Sequence, residues 1–456
     1  MNIRNDDRHN LWQEWADKYA RRVKKITENP NPKMARSNAL LYQILYDQAR
    51  KEAEHFTEGS PIPVVYHTEN APDRFFMSMG FRANNLELNA DHLSKEQVSR
   101  YLNIGREFGY PDNICDRVKL AHAIGISGDV PAPSMVVPVV GDCDLMSQAM
   151  CSAARYWNVP AFGIDMPYEE ELDMGPDEYL EAMKYIKQQL LEFIEFCEKK
   201  WPDFIKFDAE KLEEYQRINR EYTKAAADVI ELAKTKPCPY SGRDALRMAP
   251  TQVPDDRRVI DYMKQYVSEF REKAKRGESP LKDNIEKFRV YWMCSAPFYY
   301  DPFTFLEERG CASPLYEEGS GIPHRYNVMN NELAERRFGR RMLDPLEEEA
   351  ALFATHHWGA SGNRRILEVL DNCRKVGIEG IIHFELEGCL SLNNIARITG
   401  ERAEKELGIK NFYYLSAHCQ DIDKWDEADF EEKLGDWLEM CLREKGQLPF
   451  PFSIPF

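Results

Sequence analysis

Apolar residues recur along this chain in two rhythms. Over residues 8–58, Trp12, Trp15, Tyr19 and Val23 come at steps of three or four, which predicts helix. The next stretch, "PIPVVYHTEN", is a short continuous apolar run that ends in polar residues. Such a run predicts a strand buried on both faces, with its C-terminal tip at a site. "APSMVVPVVGDCD" (132–144) and "VPAFGIDMPYE" (159–169) repeat the pattern. The helical segments "SKEQVSRYLNIGREFG" and "LMSQAMCSAARYWN" lie between the runs. Alternating strands and helices predict a parallel α/β unit.

From 176 to 235 the pattern turns long, charged and helical, as in "DEYLEAMKYIKQQLLEFIEFCEKKW" and "AEKLEEYQRINREYTKAAADVIELAK". These read as amphipathic helices with one solvated face. "KPCPYSGRD" (236–244), with two prolines and a glycine, ends the region as a loop. A second alternating unit follows. "KFRVYWMCSAPF", "CASPLYEE", "IEGIIHFELEGC" and "KNFYYLSAHCQD" read as strands, with helices between them and after the last. The expected fold is therefore α/β, with two parallel-sheet domains of the flavodoxin/Rossmann-like kind. The boundaries fall at 1–58 for a helical N-terminal arm, 59–172 for the first α/β domain, 173–285 for a helical insertion and 286–456 for the second α/β domain.

Composition narrows the function. The net charge of −17 over 456 residues would repel phosphates, so no nucleic-acid partner is expected. No run of about 18 apolar residues is present, so no membrane span is expected. The start, "MNIRNDDRHNLWQEWADKY", is charged and lacks a signal-peptide core, which points to a cytoplasmic protein. There is no GxGxxG and no Walker A motif, so neither a dinucleotide nor an ATP site is expected in this chain.

The eleven cysteines are irregularly spaced and include no CxxC, which argues against a zinc ribbon or a thioredoxin-type motif. In an open α/β sheet, ligands bind beyond the carboxyl ends of the strands. Cys143 follows "MVVPVVGD" and Cys389 follows "GIIHFELEG", and each opens a helix. Cys115, after the acid-rich turn "PDN", opens a helix as well. A helix N-terminus favours the thiolate, the form that binds metal. Three thiolates around one site suit an iron–sulfur cluster held by three cysteines, with one iron open. Buried structural thiols are the alternative, and Cys419, which also follows a strand, is not excluded by position. Cys151, Cys197, Cys373 and Cys441 fall inside helices and read as packing residues.

"GYPDNIC…VK", "PAPSMVVPVVGDCD", "NVPAFGIDMPY", "KPCPYSG" and "GIEGIIHFELEGC", in that order, resemble the 2-hydroxyacyl-CoA dehydratase and benzoyl-CoA reductase family. The resemblance runs over about residues 60–440 and is nearest to the dehydratase α-subunits. It implies a [4Fe–4S] cluster between two α/β domains, held by Cys115, Cys143 and Cys389. It implies an acyl-CoA substrate and a smaller homologous β-type subunit. It also implies a separate ATP-hydrolysing iron–sulfur activator, whose single electron drives dehydration through a ketyl radical. Where those α-subunits carry a serine pair after the first strand, this chain reads "YHTEN", so His67 and Thr68 stand in their place. Thr68 keeps a hydroxyl donor, and His67 is a new titratable group that either transfers a proton or caps the turn. The family's site glutamate falls on Glu87 in "NNLELN", with Glu69 as a competitor. Two other functions fit the same residues: a benzoyl-CoA-reductase-type subunit, and a cluster-carrying electron-transfer protein of the same fold.

Overall fold

The computed structural model describes residues 9–30, 34–68, 71–141, 143–167, 176–226, 228–246, 255–297, 299–317, 334–335, 339–341, 344–354, 362–416 and 425–448. Two groups of parallel strands organise it. The first comprises β1 (Val64–His67), β2 (Arg82–Asn85), β3 (Met135–Val137), β4 (Val139–Val140) and β5 (Ile164–Asp165). β1 lies between β2 and β3, and β4 pairs with β5. β3 and β4 are one run interrupted at Pro138, which has no N–H to give a ladder; its carbonyl still accepts from Ile164 N at 3.0 Å. The second sheet comprises β6 (Phe288–Met293), β7 (Cys311–Tyr316), β8 (Gly380–Leu386) and β9 (Lys410–Ser416), in the order β7-β6-β8-β9. In both groups the second strand lies outside the first, with the third and fourth on the other side. The halves thus share a topology although their sequences show no obvious repeat. In this order the crevice opens where the first and third strands part.

The helices of the first half are α1 (Leu11–Glu28), α2 (Asn38–Glu58), α3 (Asp73–Ser78), α4 (Leu86–Asp91), α5 (Lys95–Phe108), α6 (Asp116–Ser127) and α7 (Asp144–Trp157). Then come α8 (Pro176–Lys200), α9 (Ala209–Ala226), α10 (Val229–Lys234), α11 (Gly242–Leu246) and α12 (Arg258–Lys275). The second half adds α13 (Pro302–Glu308), α14 (Pro345–Ala354), α15 (Gly362–Val376), α16 (Leu390–Leu407) and α17 (Glu427–Glu444). Successive strand residues face opposite ways. Accordingly Val65, Met135 and Val137 pack with Tyr179, Met183 and Phe193 of α8. Val64, Tyr66 and Val136 pack with Trp15 and Tyr19 of α1 and Leu120 and Ile124 of α6. The sheet is covered on both faces, as its continuous apolar runs require. Met263, Tyr266 and Phe270 of α12 instead join the core around Val290, Trp292 and Ile381 of the second sheet. The helical residues between the sheets are thus shared between two cores.

Two expectations change. The arm is two helices, because α1 stops at Asn29 before Pro30, whose missing N–H and fixed φ break the pattern. β2 was not expected at all. Its sequence, Arg-Ala-Asn-Asn, has no apolar rhythm, and it is recruited as an edge strand by pairing from Val64↔Arg82 to His67↔Asn85.

Candidate functional site

The three cysteines proposed as ligands each cap a helix. Cys115, Cys143 and Cys389 are the N-cap residues of α6, α7 and α16. Cys143 follows the third strand of the first half and Cys389 the third strand of the second, so the shared topology gives them equivalent places. Cys115 comes from the segment that leads into α6. Its side chain is buried, and Cys143 and Cys389 are half-buried.

The two halves touch backbone to backbone beside Cys115 and Cys389. Gly388 has φ +77°, and a Cβ there would lie 2.6 Å from Cys115 N, 2.7 Å from Ile114 C and 3.0 Å from Asn113 O. Only glycine allows both that conformation and that approach. Cys389 is thereby brought beside Cys115. The Cys115 thiol is pushed up to about 12, first by burial and next by the neighbouring Cys389 thiol. Backbone N–H groups of Val118 and Arg117 donate toward its sulfur and oppose the rise, while Glu87 adds to it. Burial thus opposes the helix field at this thiol. Cys143 packs against the same apolar cluster that contains Cys115.

The strand tips supply the rest. The pairing of His67 with Asn85 on one side and Val137 on the other puts Thr68 between the ends of β2 and β3. Thr68 is 1% exposed, and its Oγ1 has no hydrogen-bond partner among the described residues. His67, equally buried, lies with Nδ1 2.9 Å from the Thr68 carbonyl and 3.3 Å from Asp73 Oδ1. A carbonyl only accepts, so Nδ1 carries the proton and Nε2 is the other face of the ring. Burial raises the Asp73 carboxyl above its usual range; His67 and Arg74 pull it back. Glu87 stands in the first turn of α4, its side chain 14% exposed, with Arg117 Nη1 3.9 Å away. Arg117 also donates to Asp91 at 2.8 Å. Glu87 is therefore a held carboxylate within electrostatic reach of Cys115, and it is no exposed loop residue.

A family model described as "2-hydroxyglutaryl-CoA dehydratase, D-component" matches residues 69–441. The chain belongs to this family. A curated relative, the (R)-phenyllactyl-CoA dehydratase alpha subunit of Clostridium sporogenes, is 29% identical over 225 residues, which are 47% of this chain and 54% of the relative. The chain thus spans about half the length of that relative.

Within this dehydratase-family chain the remaining candidates sort by burial. Cys197, Cys373 and Cys441 are buried helix residues, as expected, but Cys151 is exposed and fills no core. Cys419 and Glu69 lie outside the described residues. Among the described residues no three His, Cys, Asp or Glu side chains converge tightly enough to hold a single metal ion. Cysteines that each bind a different iron of one cluster stand further apart than that. The donor set, three thiols on helix N-termini with two of them adjacent, has the chemistry an iron–sulfur cluster takes. Sequence reasoning missed Gly388, Asp73 and Arg117. The glycine directly before Cys389 was the only available signal; the other two matter through contacts that no spacing reveals. Among the described residues no helix is long and apolar enough to cross a membrane.

Proposed function

We propose that the chain is the cluster-binding, α-type subunit of an enzyme that dehydrates a 2-hydroxyacyl-CoA thioester. The observation that carries this reading is the seating of Gly388 on the backbone of Cys115, which joins the two halves at two helix-capping cysteines. Cys115, Cys143 and Cys389 would hold a [4Fe–4S] cluster. When bound, the cluster supplies one-electron chemistry and an iron open to substrate oxygen.

The chain's own residues do the rest. Thr68 Oγ1, buried and without a hydrogen-bond partner among the described residues, is poised to donate to an oxygen of the substrate that gains charge. His67 is oriented by the Thr68 carbonyl and Asp73, so Nε2 is the nitrogen that exchanges a proton. Glu87, steadied by Arg117, is the carboxylate on the Cys115 side. A separate ATP-hydrolysing iron–sulfur activator and a smaller homologous partner subunit complete the proposal; the relative's name as an alpha subunit supports the partner.

The test is reconstituted turnover. The chain with its co-purified partner should dehydrate a 2-hydroxyacyl-CoA only with an ATP-hydrolysing activator and a strong reductant present. Turnover with NADH alone, or by the chain as a homodimer, would contradict the proposal.

A further inference from the structure

A cleft of about 360 Å³ runs along the free edge of β2, between α2, α3 and α9. A water molecule takes about 30 Å³ in the liquid, so the cleft has room for a chain of waters. Cationic Lys51, Arg82 and Lys211 are offset there by acidic Glu52 and Asp255, a balance that suits water and favours no ion. The cleft contains none of the three cysteines. It meets the strand tip at His67 and Asp73.

These two side chains differ in what they show to solvent. His67 is 1% exposed, whereas 25% of the Asp73 side chain is open. Phe76 covers the imidazole, with the ring centroids 5.6 Å apart. Asp73 Oδ1 is the inner oxygen. It is buried, has no hydrogen-bond partner among the described residues, and stands 3.3 Å from His67 Nδ1. The Nδ1 proton is held by the Thr68 carbonyl at 2.9 Å, so a small turn of the ring offers it to Asp73 instead. A buried acceptor left unmet costs about 1–3 kcal/mol, which a proton from His67 would relieve. The open part of Asp73 lies beyond that oxygen, on the cleft side. The charges around the carboxyl are mixed. His67 and Arg74 stabilise its anion, and Glu349 of α14, 3.3 Å from Arg74, opposes them. Burial raises the carboxyl above its usual range, where it gives up and regains a proton nearer neutral pH.

We propose that Asp73 carries protons between His67 and water in this cleft, so that the strand tip exchanges protons with bulk solvent from the side away from the cysteines. A proton taken at His67 Nε2 makes the ring an imidazolium. Nδ1 then gives its proton to Asp73 Oδ1, and the neutral carboxyl releases it to water. In reverse, water protonates Asp73, Asp73 protonates Nδ1, and Nε2 gives a proton to the site. One proton enters and one leaves in each direction, and no electron moves. The inference rests on the reading of His67 as the proton-exchanging group of the dehydratase site.

The test is nuclear magnetic resonance of the full chain labelled with ¹⁵N-histidine, with His67 assigned from His67→Gln. It reads exchange of the ring N–H with water and needs neither cluster nor activator. Asp73→Asn keeps an acceptor oxygen but takes up no proton, and it should slow exchange at least tenfold. A residue that only braced the ring would have the opposite effect, since a looser ring exchanges faster. Met77→Trp lies one turn along α3 from Asp73 and also lines the cleft, so it should slow exchange by filling the space before the carboxyl. It decides the matter if Asp73→Asn fails to fold. Unchanged or faster exchange in either folded variant overturns the proposal. So does a wild-type ring N–H that exchanges no faster than the backbone amides of β1, because no route to water would then exist. Slowed exchange in a chain that fails the turnover experiment would sink the dehydratase reading and leave the proton path standing. Turnover with unaltered exchange would do the reverse.

Discussion

If Cys115, Cys143 and Cys389 hold a cluster as proposed, Gly388→Ala is expected to remove most of the iron that the wild type binds while leaving each cysteine in the sequence. Two costs combine at this position. A φ of +77° disfavours any residue with a Cβ, by roughly 1–2 kcal/mol. The added carbon would also stand 2.6 Å from Cys115 N, against backbone that cannot rotate away as a side chain could. The Glu387–Cys389 segment and the Asn113–Cys115 segment must therefore part. The total destabilisation should be about 2–4 kcal/mol, in the range of strained or overpacked buried sites. Separation of Cys389 from Cys115 would cost more in function than in stability. Iron and sulfide content of Gly388→Ala, beside its melting temperature and that of Gly377→Ala, reads both effects. Gly377 also has positive φ but meets nothing within 4 Å, so it controls for the backbone term alone. Equal iron loss in the two variants would show that the contact with Cys115 does not matter.

The second large effect concerns Thr68. The Thr68 hydroxyl is buried with no hydrogen-bond partner among the described residues, a placement that costs stability, so Thr68→Val should leave stability unchanged or raise it by up to about 1 kcal/mol. The same change should slow turnover roughly 10- to 100-fold, since a hydrogen bond to a charge-bearing acceptor is worth about 1.5–3 kcal/mol. Iron content should not move. The opposite signs of the two effects are the diagnostic feature: a residue that only packs would lose stability and activity together. Melting temperature, iron content and kcat/KM on one preparation decide it. A lower melting temperature with unchanged turnover would remove Thr68 from the site.

The architecture was legible because buried parallel strands write themselves as continuous apolar runs, as in "PVVYH", "SMVVPVV" and "FRVYWM". Their polar ends marked Thr68, His67, Cys143 and Cys389 as tip residues, and these residues do end strands or open helices. β2 escaped notice because Arg82–Asn85 has no apolar alternation; an edge strand can be held by its neighbour's ladder without burying two faces. The burial of the Cys115 thiol was hidden for a related reason. Sequence shows the helix that begins after it, but not that all twelve residues of α6 are buried, and burial is what governs its titration. Asp73 and Arg117 were invisible because each acts through a partner six or more residues away in sequence or on another helix. The common topology of the two sheets could be read only from strand order, since side chains that satisfy the same topology need not repeat.

The central claim is that Cys115, Cys143 and Cys389 hold one [4Fe–4S] cluster. The measurement that bears on it most directly is iron and sulfide analysis, with electron paramagnetic resonance of the reduced protein, after anaerobic purification of the wild type and of four single variants. Cys115→Ala, Cys143→Ala and Cys389→Ala should each lose most of the iron and the cluster signal. Cys197→Ala, which removes a thiol buried in α8, should keep both. Full iron content in all three of the first variants would contradict the account.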